Sequence, residues 1–545
     1  MAQRDPAPKR VAQTQKQNSF FGGAAILAAG ILIVKLIGMF YKIPLINIIG
    51  EAGAADFNNA YNIYAVLLTV STAGLPVAVS KLVSEANALN RRNQVRRTFR
   101  LALVLFLTLG LISFLVMFFR ADALAGMMND SKAAAGIRAL APAVVCVGCL
   151  AALRGYSQGH SNMAPTSVSQ IIEALCKLVV GLGLAFWLVK QGRDPDVAAA
   201  GAITGVTVGT VVALIYMVLD FFLSRGREDT HGTDRPDSAG SILANILKIA
   251  VPITLSSSMV GIVTVIDSSL VQGQLQSALN LTEKASRTLY GNYSGALNIY
   301  NLPTSLMAAI TAAVIPAVSG TLARRDRKGA SRVAGSALRI SALLAFPMGV
   351  GLYVLGEPIM ALIFPSLTAE LAGPLLSTLG LATVFVCMML VCNSILQAYG
   401  FVNLPVIIML AGGVIKIVLN YNVVVLPQVG IYGAPLGNIF CFALCLILDL
   451  IVMARVIPGC PKYIPLFAKP AAAAAVMGLG AWAVHGLLAK LFAAGRMGNA
   501  VSTLAAILVA GIIYGVLGIV LRAITKEDLA LMPKGEKIAR ILHLS

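Results

Sequence analysis

The residues of this chain that could do chemistry are few, and most are ionisable side chains set inside apolar runs. Lys35 and Lys42 interrupt the first such run, Glu173 and Lys177 the fifth, Asp267 the seventh and Lys416 the eleventh. A charge at the centre of a hydrocarbon layer costs roughly 2.5–3.5 kcal/mol on an insertion scale, so such residues face a wet space or a partner and mark a path for an ion or polar solute. Lys35 stands about seventeen residues into its run, near mid-bilayer at 1.5 Å per residue. Lys42 is followed by Pro44 and lies nearer the outer surface, where its stem can carry the ammonium out. Glu173 and Lys177 are spaced i,i+4 with the acid toward the amino end, which predicts a pair on one helix face. That pair is either a structural ion pair or a cavity-lining site, and Glu173 and Asp267 are the acids suited to a coupling cation.

Neutral groups and bends accompany the charges. Arg154, in the turn RGYSQG (Arg154–Gly159), offers a planar guanidinium suited to bidentate phosphate contact, or anchors the chain at the membrane face. Asn62 and Tyr64 in AYNIY, with Asn298 and Tyr300 in ALNIY, can hydrogen-bond sugar hydroxyls or tie helices together. Gly74, Pro76, Pro303 and Pro316 interrupt long runs and supply either bending points or fixed kinks.

Covalent chemistry is not expected. The 8 cysteines sit mostly in apolar runs, and the CxxC of Cys146–Cys149 is enclosed within Ala141–Ala152, away from metal or thiol partners. The 4 histidines are scattered, and neither a phosphate loop nor a dinucleotide fingerprint is present. No enzymatic activity, cofactor or metal is expected.

The elements that must position these residues follow from composition. Hydrophobic residues make up 58% of the chain and charged residues 12%, against about 25% charged in a soluble domain. Runs such as Leu101–Phe119, Ile203–Leu223 and Val501–Leu521 match the roughly 20 residues that span a hydrocarbon core. Such segments must be helices, which satisfy their own backbone, so the fold class is all-α integral membrane. About fourteen spans are expected, near 18–49, 57–83, 99–119, 136–156, 165–189, 198–223, 242–270, 292–320, 333–355, 372–397, 404–426, 431–454, 468–488 and 500–521. The basic, polar tail Met1–Gln17 feeds straight into a full span, so the first helix is expected to stay in the mature protein.

A cytoplasmic amino terminus assigns Arg91, Arg92, Arg96, Arg97, Arg324, Arg325, Arg327, Lys328, Lys526, Lys534, Lys537 and Arg540 to that side. The other side receives roughly a third as many basic residues, which favours both termini inside. The net charge of +19 then reads as a topology signal and an attraction to an anionic leaflet, not as a nucleic-acid footprint.

The chain also repeats itself. Ala60–Tyr64 echoes Ala296–Tyr300, Pro76 of LPVAVSKL matches Pro316 of IPAVSGTL, Gln158–Pro165 echoes Gln397–Pro405, and GAITG (Gly201–Gly205) echoes GAPLG (Gly433–Gly437). The order is shared and the spacing is about 230–240 residues throughout, as a duplicated six-helix unit requires. An even number of spans per copy gives both copies the same orientation, hence two pseudo-symmetric lobes around a central cavity. The expected domains are a basic tail 1–17, a first lobe 18–224, a cytoplasmic linker 225–241, a second lobe 242–457, two additional spans in 458–521 and a tail 522–545.

The segments VKLIGMFYKIPL, IIGEAGAADFNNAYNIY, GLPVAVSKLVSE, RGYSQGHSNMAPTSVSQIIE and LMPKGEKI resemble the multidrug/oligosaccharidyl-lipid/polysaccharide exporter superfamily over nearly the whole chain. Within it they look like the branch of stage V sporulation protein B and polysaccharide biosynthesis proteins. The resemblance implies two six-helix lobes in a V, with two additional helices as in MurJ-type lipid II flippases. It places functionally required basic residues at Lys35 and Lys42 and an acid at Asp56. Two further family arginines fall near Thr69 and Asn298, where this sequence departs, and Arg154, Glu173 and Lys177 stand as compensating charge. The implied activity is translocation of an undecaprenyl-diphosphate-linked saccharide across the bacterial cytoplasmic membrane by alternating access. Membrane lipids, a coupling cation and cell-wall synthesis proteins are the implied partners. Two rival readings are a cation-coupled multidrug exporter on the same fold, which predicts an acid-lined aromatic cavity, and a non-transporting scaffold for cell-wall or spore-cortex enzymes, which predicts tolerance of neutral substitutions at Lys35 and Glu173.

Overall fold

The computed structural model describes residues 8–72, 74–160, 162–225, 232–323, 325–401, 403–457, 463–491 and 495–521. The expected cytoplasmic charges Arg324, Lys526, Lys534, Lys537 and Arg540 lie outside the described residues. Among the described residues, 11 helices are long and apolar enough to cross a membrane, and a shorter apolar stretch covers Ala239–Val251.

Every expected span falls on a helix. The first and most of the second share α1 (Pro8–Thr72), whose backbone breaks at Gly50 with φ 70° and ψ −169°. Only glycine adopts that conformation without strain, so a single residue turns one long helix into two. Helix resumes at α2 (Leu75–Ala88). The chain then runs through α3 (Arg92–Phe119), α4 (Ala121–Met127), α5 (Ala133–Gly159), α6 (Ala164–Cys176), a π-helical turn Lys177–Gly181, α7 (Leu182–Lys190) and α8 (Pro195–Arg225). Next come α9 (Ala239–Ser277), α10 (Glu283–Ala323), α11 (Arg327–Val354), α12 (Gly356–Ile363), α13 (Ala369–Ala398), α14 (Leu404–Val423), α15 (Gly433–Val456), α16 (Tyr463–Leu491) and α17 (Arg496–Val520).

Two compact units result: the described residues up to Ile49 with Asp56–Val265, and Gly50–Ala55 with the described residues from Ile266 onward. In the first unit α5 is the axis, packed against α2, α3 and α8. In the second the axis is α13, packed against α10, α11 and α15. These two helices share the highest burial of the 11 candidate spans, 67% of each apolar window. They end at matching places in the repeat, near Gln158 and Gln397, and their neighbours match in order, so both copies build the same bundle. The helices beyond the repeat, α16 and α17, pack on each other and on α11 and α12 over a small core of Leu355, Met477, Ala481, Ala506 and Ala510.

The polar stretch after α8 is fastened within the first unit. The N-cap residue of α3, Arg91, supplies no side-chain cap, leaving N–H groups that need acceptors. Asp234 supplies them, accepting from the backbone N–H of Asn93 at 2.9 Å and of Gln94 at 3.0 Å. Asn93 Nδ2 donates to the Gly232 carbonyl at 2.8 Å, Arg91 pairs with Asp237 at 2.8 Å, and Gln94 Nε2 donates to Asp237 at 3.1 Å. Desolvation pushes the Asp234 carboxyl up, but the donors of Asn93 and Gln94, aided by Arg91, outweigh it and hold the group below the usual carboxylate range. A depressed carboxyl stabilises above its unfolded value and loses that contribution as pH falls through the folded one, so the strap is complete at neutral pH. Asp234→Ala should remove about 1–2 kcal/mol of capping and lower hydrogen-exchange protection of the Asn93 and Gln94 amides by roughly 5–30-fold; unchanged protection by mass spectrometry would refute the clamp.

Candidate functional site

In the first unit the site is built on α5, α6 and α1. Arg154 of α5 reaches across to α6, where Nη2 meets Glu173 Oε2 at 3.2 Å and Nε donates to Ser169 Oγ at 3.0 Å. Ser169 in turn donates to the Thr166 carbonyl at 2.8 Å, which fixes its lone pairs toward the guanidinium. The expected pairing of Glu173 with Lys177 is therefore corrected: the carboxylate belongs to Arg154. Lys177 opens the π-helical turn, a widening of the helix common at functional sites, and its Nζ lies 4.8 Å from the ring centroids of both Tyr41 and Tyr61.

The aromatic seat is itself held. Tyr41 donates its hydroxyl to the Ala202 carbonyl of α8 at 3.2 Å, and Tyr61 stacks on Phe57 at 6.0 Å. Lys42, half-buried, stands within the repulsive field of Lys177. Close helix packing makes the turn possible, because a Cβ at Gly205 of α8 would lie 2.4 Å from the backbone of Gly181.

The other sequence-predicted residues of this unit are placed as follows. Lys35 is exposed and Asn62 half-buried, while Asp56 and Tyr64 are each 2% exposed. Thr69 carries no charge and bonds its own helix through the Ala65 carbonyl at 2.7 Å. Gly74 is a contact point: its N–H donates to Thr254 Oγ1 at 3.1 Å, and a Cβ there would strike the Ala250 carbonyl oxygen at 2.1 Å. Pro76 sits in the first turn of α2, where a missing N–H costs nothing.

The second unit uses the same scaffold with different charges. Lys416 Nζ meets Asp267 Oδ2 at 2.8 Å, with side-chain exposures of 13% and 8%. Asn420, one turn after Lys416, donates its amide to the other oxygen of Asp267, and Gly437 of α15 faces Asn420 so closely that a Cβ would meet its oxygen at 2.1 Å. Lysine four residues before the point where the glycine of the following helix packs is thus common to both units, at Lys177 and at Lys416. Asn298 donates to the Ser294 carbonyl at 2.8 Å, and Tyr300 is buried. Pro303 and Pro316 lie within α10, which continues through both; the Pro316 side chain is outside the described residues.

Sequence reasoning missed Tyr41 and Tyr61, for which no local signal exists, and Asn420, which its i,i+4 spacing from Lys416 does signal.

Residues 20–322, more than half of the chain, match the family described as Polysaccharide biosynthesis protein. The chain belongs to that family. Residues 291–422 match the MatE family, and the chain is a multi-pass membrane transporter of the multidrug/oligosaccharidyl-lipid/polysaccharide exporter superfamily, in the branch of stage V sporulation protein B and MurJ. Stage V sporulation protein B of Bacillus subtilis (strain 168) is 24% identical over 520 residues, covering 95% of this chain and 98% of its own. Lipid II flippase MurJ of the same organism is 25% identical over 453 residues, covering 79% and 82%. A solved structure of lipid II flippase MurJ in an inward closed conformation shares the fold, with TM-score 0.68 at 14% identity over 91% of this chain and 99% of that one.

For this exporter-family chain, the Asp267–Lys416 pair gives a direct test. Lys416→Met leaves a buried carboxylate unpaired and should cost about 3–5 kcal/mol, whereas adding Asp267→Asn should recover most of the loss. Thermal unfolding in detergent reads both variants; a double variant no more stable than the single one would contradict the pairing.

Proposed function

We propose that this protein flips an undecaprenyl-diphosphate-linked saccharide, lipid II or a related cell-wall or polysaccharide precursor, across the bacterial cytoplasmic membrane by alternating access. The observation that carries the reading is Lys177, a cation seated on aromatic faces in the first unit. Arg154 already takes Glu173, while Lys177 rests on two tyrosine faces and repels Lys42. A ring face stabilises an ammonium without cancelling its charge, so Lys177 stays available to an anion. A diphosphate supplies that anion in compact form, and charge-assisted bonds to it are the strong ones. Asn62, with the Tyr61 phenol, is suited to the saccharide hydroxyls, and exposed Lys35, two turns before Lys42, to first capture.

The headgroup crosses through the protein while the polyprenyl chain stays in lipid. With Arg91, Arg92, Arg96 and Arg97 on the cytoplasmic side, both termini are cytoplasmic and loading occurs from that side. The acids first suited to a coupling cation, Glu173 and Asp267, each hold an internal cation instead, so either serves coupling only in a state where its pair opens. Similarity to a protein named lipid II flippase supports the substrate class. The MatE match over residues 291–422 keeps a cation-coupled drug exporter as the rival, and the basic first unit argues against cationic cargo.

The test is purified protein in vesicles with labelled lipid II, scored by the accessibility of its headgroup. Lys42→Ala and Lys177→Ala should each slow translocation by about tenfold or more, the loss of one charge-assisted contact of about 1.5–3 kcal/mol. Lys177→Arg should restore part of the rate. In cells, Lys35→Ala should abolish complementation of a flippase-depleted strain at normal protein levels. Full translocation by the Lys42→Ala, Lys177→Ala double variant would remove the diphosphate assignment, and efflux of cationic dyes would favour the rival.

A further inference from the structure

Arg154 and Lys416 neutralise Glu173 and Asp267, but α15 carries a third intramembrane acid in the apolar run FALCLILDLIV. Asp449 lies seven residues before the helix ends at Val456, roughly 10 Å inward at 1.5 Å per residue. Its exposure is 0%. Neither carboxyl oxygen has a hydrogen-bond partner among the described residues.

Among the described residues, the neighbours offer no fixed charge to balance it. Asn438, Cys441, Cys445 and Asp449 follow one another at three- and four-residue steps, all buried along one face of α15. From α14, Gly412 brings the backbone against Cys445, whose Sγ donates to the Ile408 carbonyl at 3.5 Å. Lys416 of α14 exerts its field on Cys441, one turn further from Asp449, and Cys445 is the titratable group that lies in the field of Asp449. On α16 the Tyr463 hydroxyl is committed to the Leu450 carbonyl at 3.0 Å. On α13 Cys387 faces Tyr300.

An ionised carboxylate in dry packing, with both oxygens unsatisfied, carries an effective penalty of several kcal/mol, and buried groups escape that penalty by becoming neutral. We infer that Asp449 is a proton-binding site, a neutral acid in the conformation described here that releases its proton when transport opens this face of α15 to water. Binding rests on the geometry alone; release rests on the transporter reading. Each turnover would then move one proton through the second unit.

A hydrophobic carbodiimide tests the binding. The acid O–H adds across one C=N bond of the reagent, the carboxyl oxygen bonding to carbon and the proton passing to nitrogen, and an acyl shift to nitrogen gives a stable N-acylurea with no atom lost. Treating the full chain in detergent with dicyclohexylcarbodiimide and mapping peptides by mass spectrometry should place the adduct on Asp449, weaker as pH rises, and absent in Asp449→Asn. Glu173 and Asp267, held against Arg154 and Lys416, should stay unmodified. Modification of those two with Asp449 spared would overturn the inference.

Should the reagent not reach the site, thermal unfolding decides. A group protonated when folded and ionised when unfolded loses stability as pH rises above the ordinary carboxylate range of about 4, so the Asp449→Asn variant should gain on the parent as pH rises from there toward neutrality, and parallel curves would overturn binding. In lipid II vesicles, loss of translocation by Asp449→Asn supports release, and translocation at the parental rate overturns it. Labelling is read whether or not the vesicles flip lipid II, which separates failure of the site from failure of the transport reading.

Discussion

Charge inside a low-dielectric layer must be cancelled, seated or put to use, and that constraint orders the whole interior of this protein. Among the described residues, three solutions are visible. Asp267 and Lys416 cancel each other directly. Lys177 is seated on aromatic faces that steady the ammonium without neutralising it. Asp449 has neither solution, which leaves a proton as its cheapest counter-ion. Helix packing serves these arrangements: Gly205 and Gly437 let α8 and α15 approach the helices that carry the lysines, and a side chain at either position would push the charged face out of register.

The duplication explains why the two units share a frame and differ in electrostatics. Both place one helix at the axis, α5 and α13, with corresponding neighbours around it. Both carry a lysine at the same point on the helix that follows that axis. In the first unit the lysine faces tyrosines contributed by α1, whereas in the second it faces an aspartate contributed by α9. A gene duplication preserves the backbone contacts because small residues at helix crossings cannot be changed without strain. The side chains lining the interior are under no such restraint, so one copy retains open positive charge and the other closes its charge internally.

The fold was legible because long apolar runs admit one backbone solution in lipid, and the repeat was legible because the crossings it preserves are glycine and proline positions. The break at Gly50 was not read, since an isolated glycine in an apolar run has many uses and its φ is a tertiary choice. For the site, the sequence singled out Lys177 and Glu173 and paired them by spacing, and spacing holds only while the helix stays α. The π-helical turn and the reach of Arg154 from α5 overrode it. Tyr41 lies 136 residues from its lysine and carries no local signature of the contact. Asp449 was passed over, since nothing in its sequence context shows that, unlike Asp267, it has no partner among the described residues.

The asymmetry between the units bears on energy as well as recognition. A unit charge crossing the full membrane potential is worth about 2.3 kcal/mol per 100 mV. In the proposed reading, the empty first unit carries the un-neutralised charge of Lys177, so an inside-negative potential favours conformations that hold it toward the cytoplasm. A bound diphosphate offsets that charge and removes the bias, which lets the loaded protein turn outward against little electrical work. The second unit, with Asp267 matched to Lys416, is nearly silent to the potential until a proton leaves Asp449. In that reading potential and proton act on different units, the first resetting the empty carrier and the second timing its opening, and a single scaffold duplicated with unlike interiors is what makes that division of labour physically available.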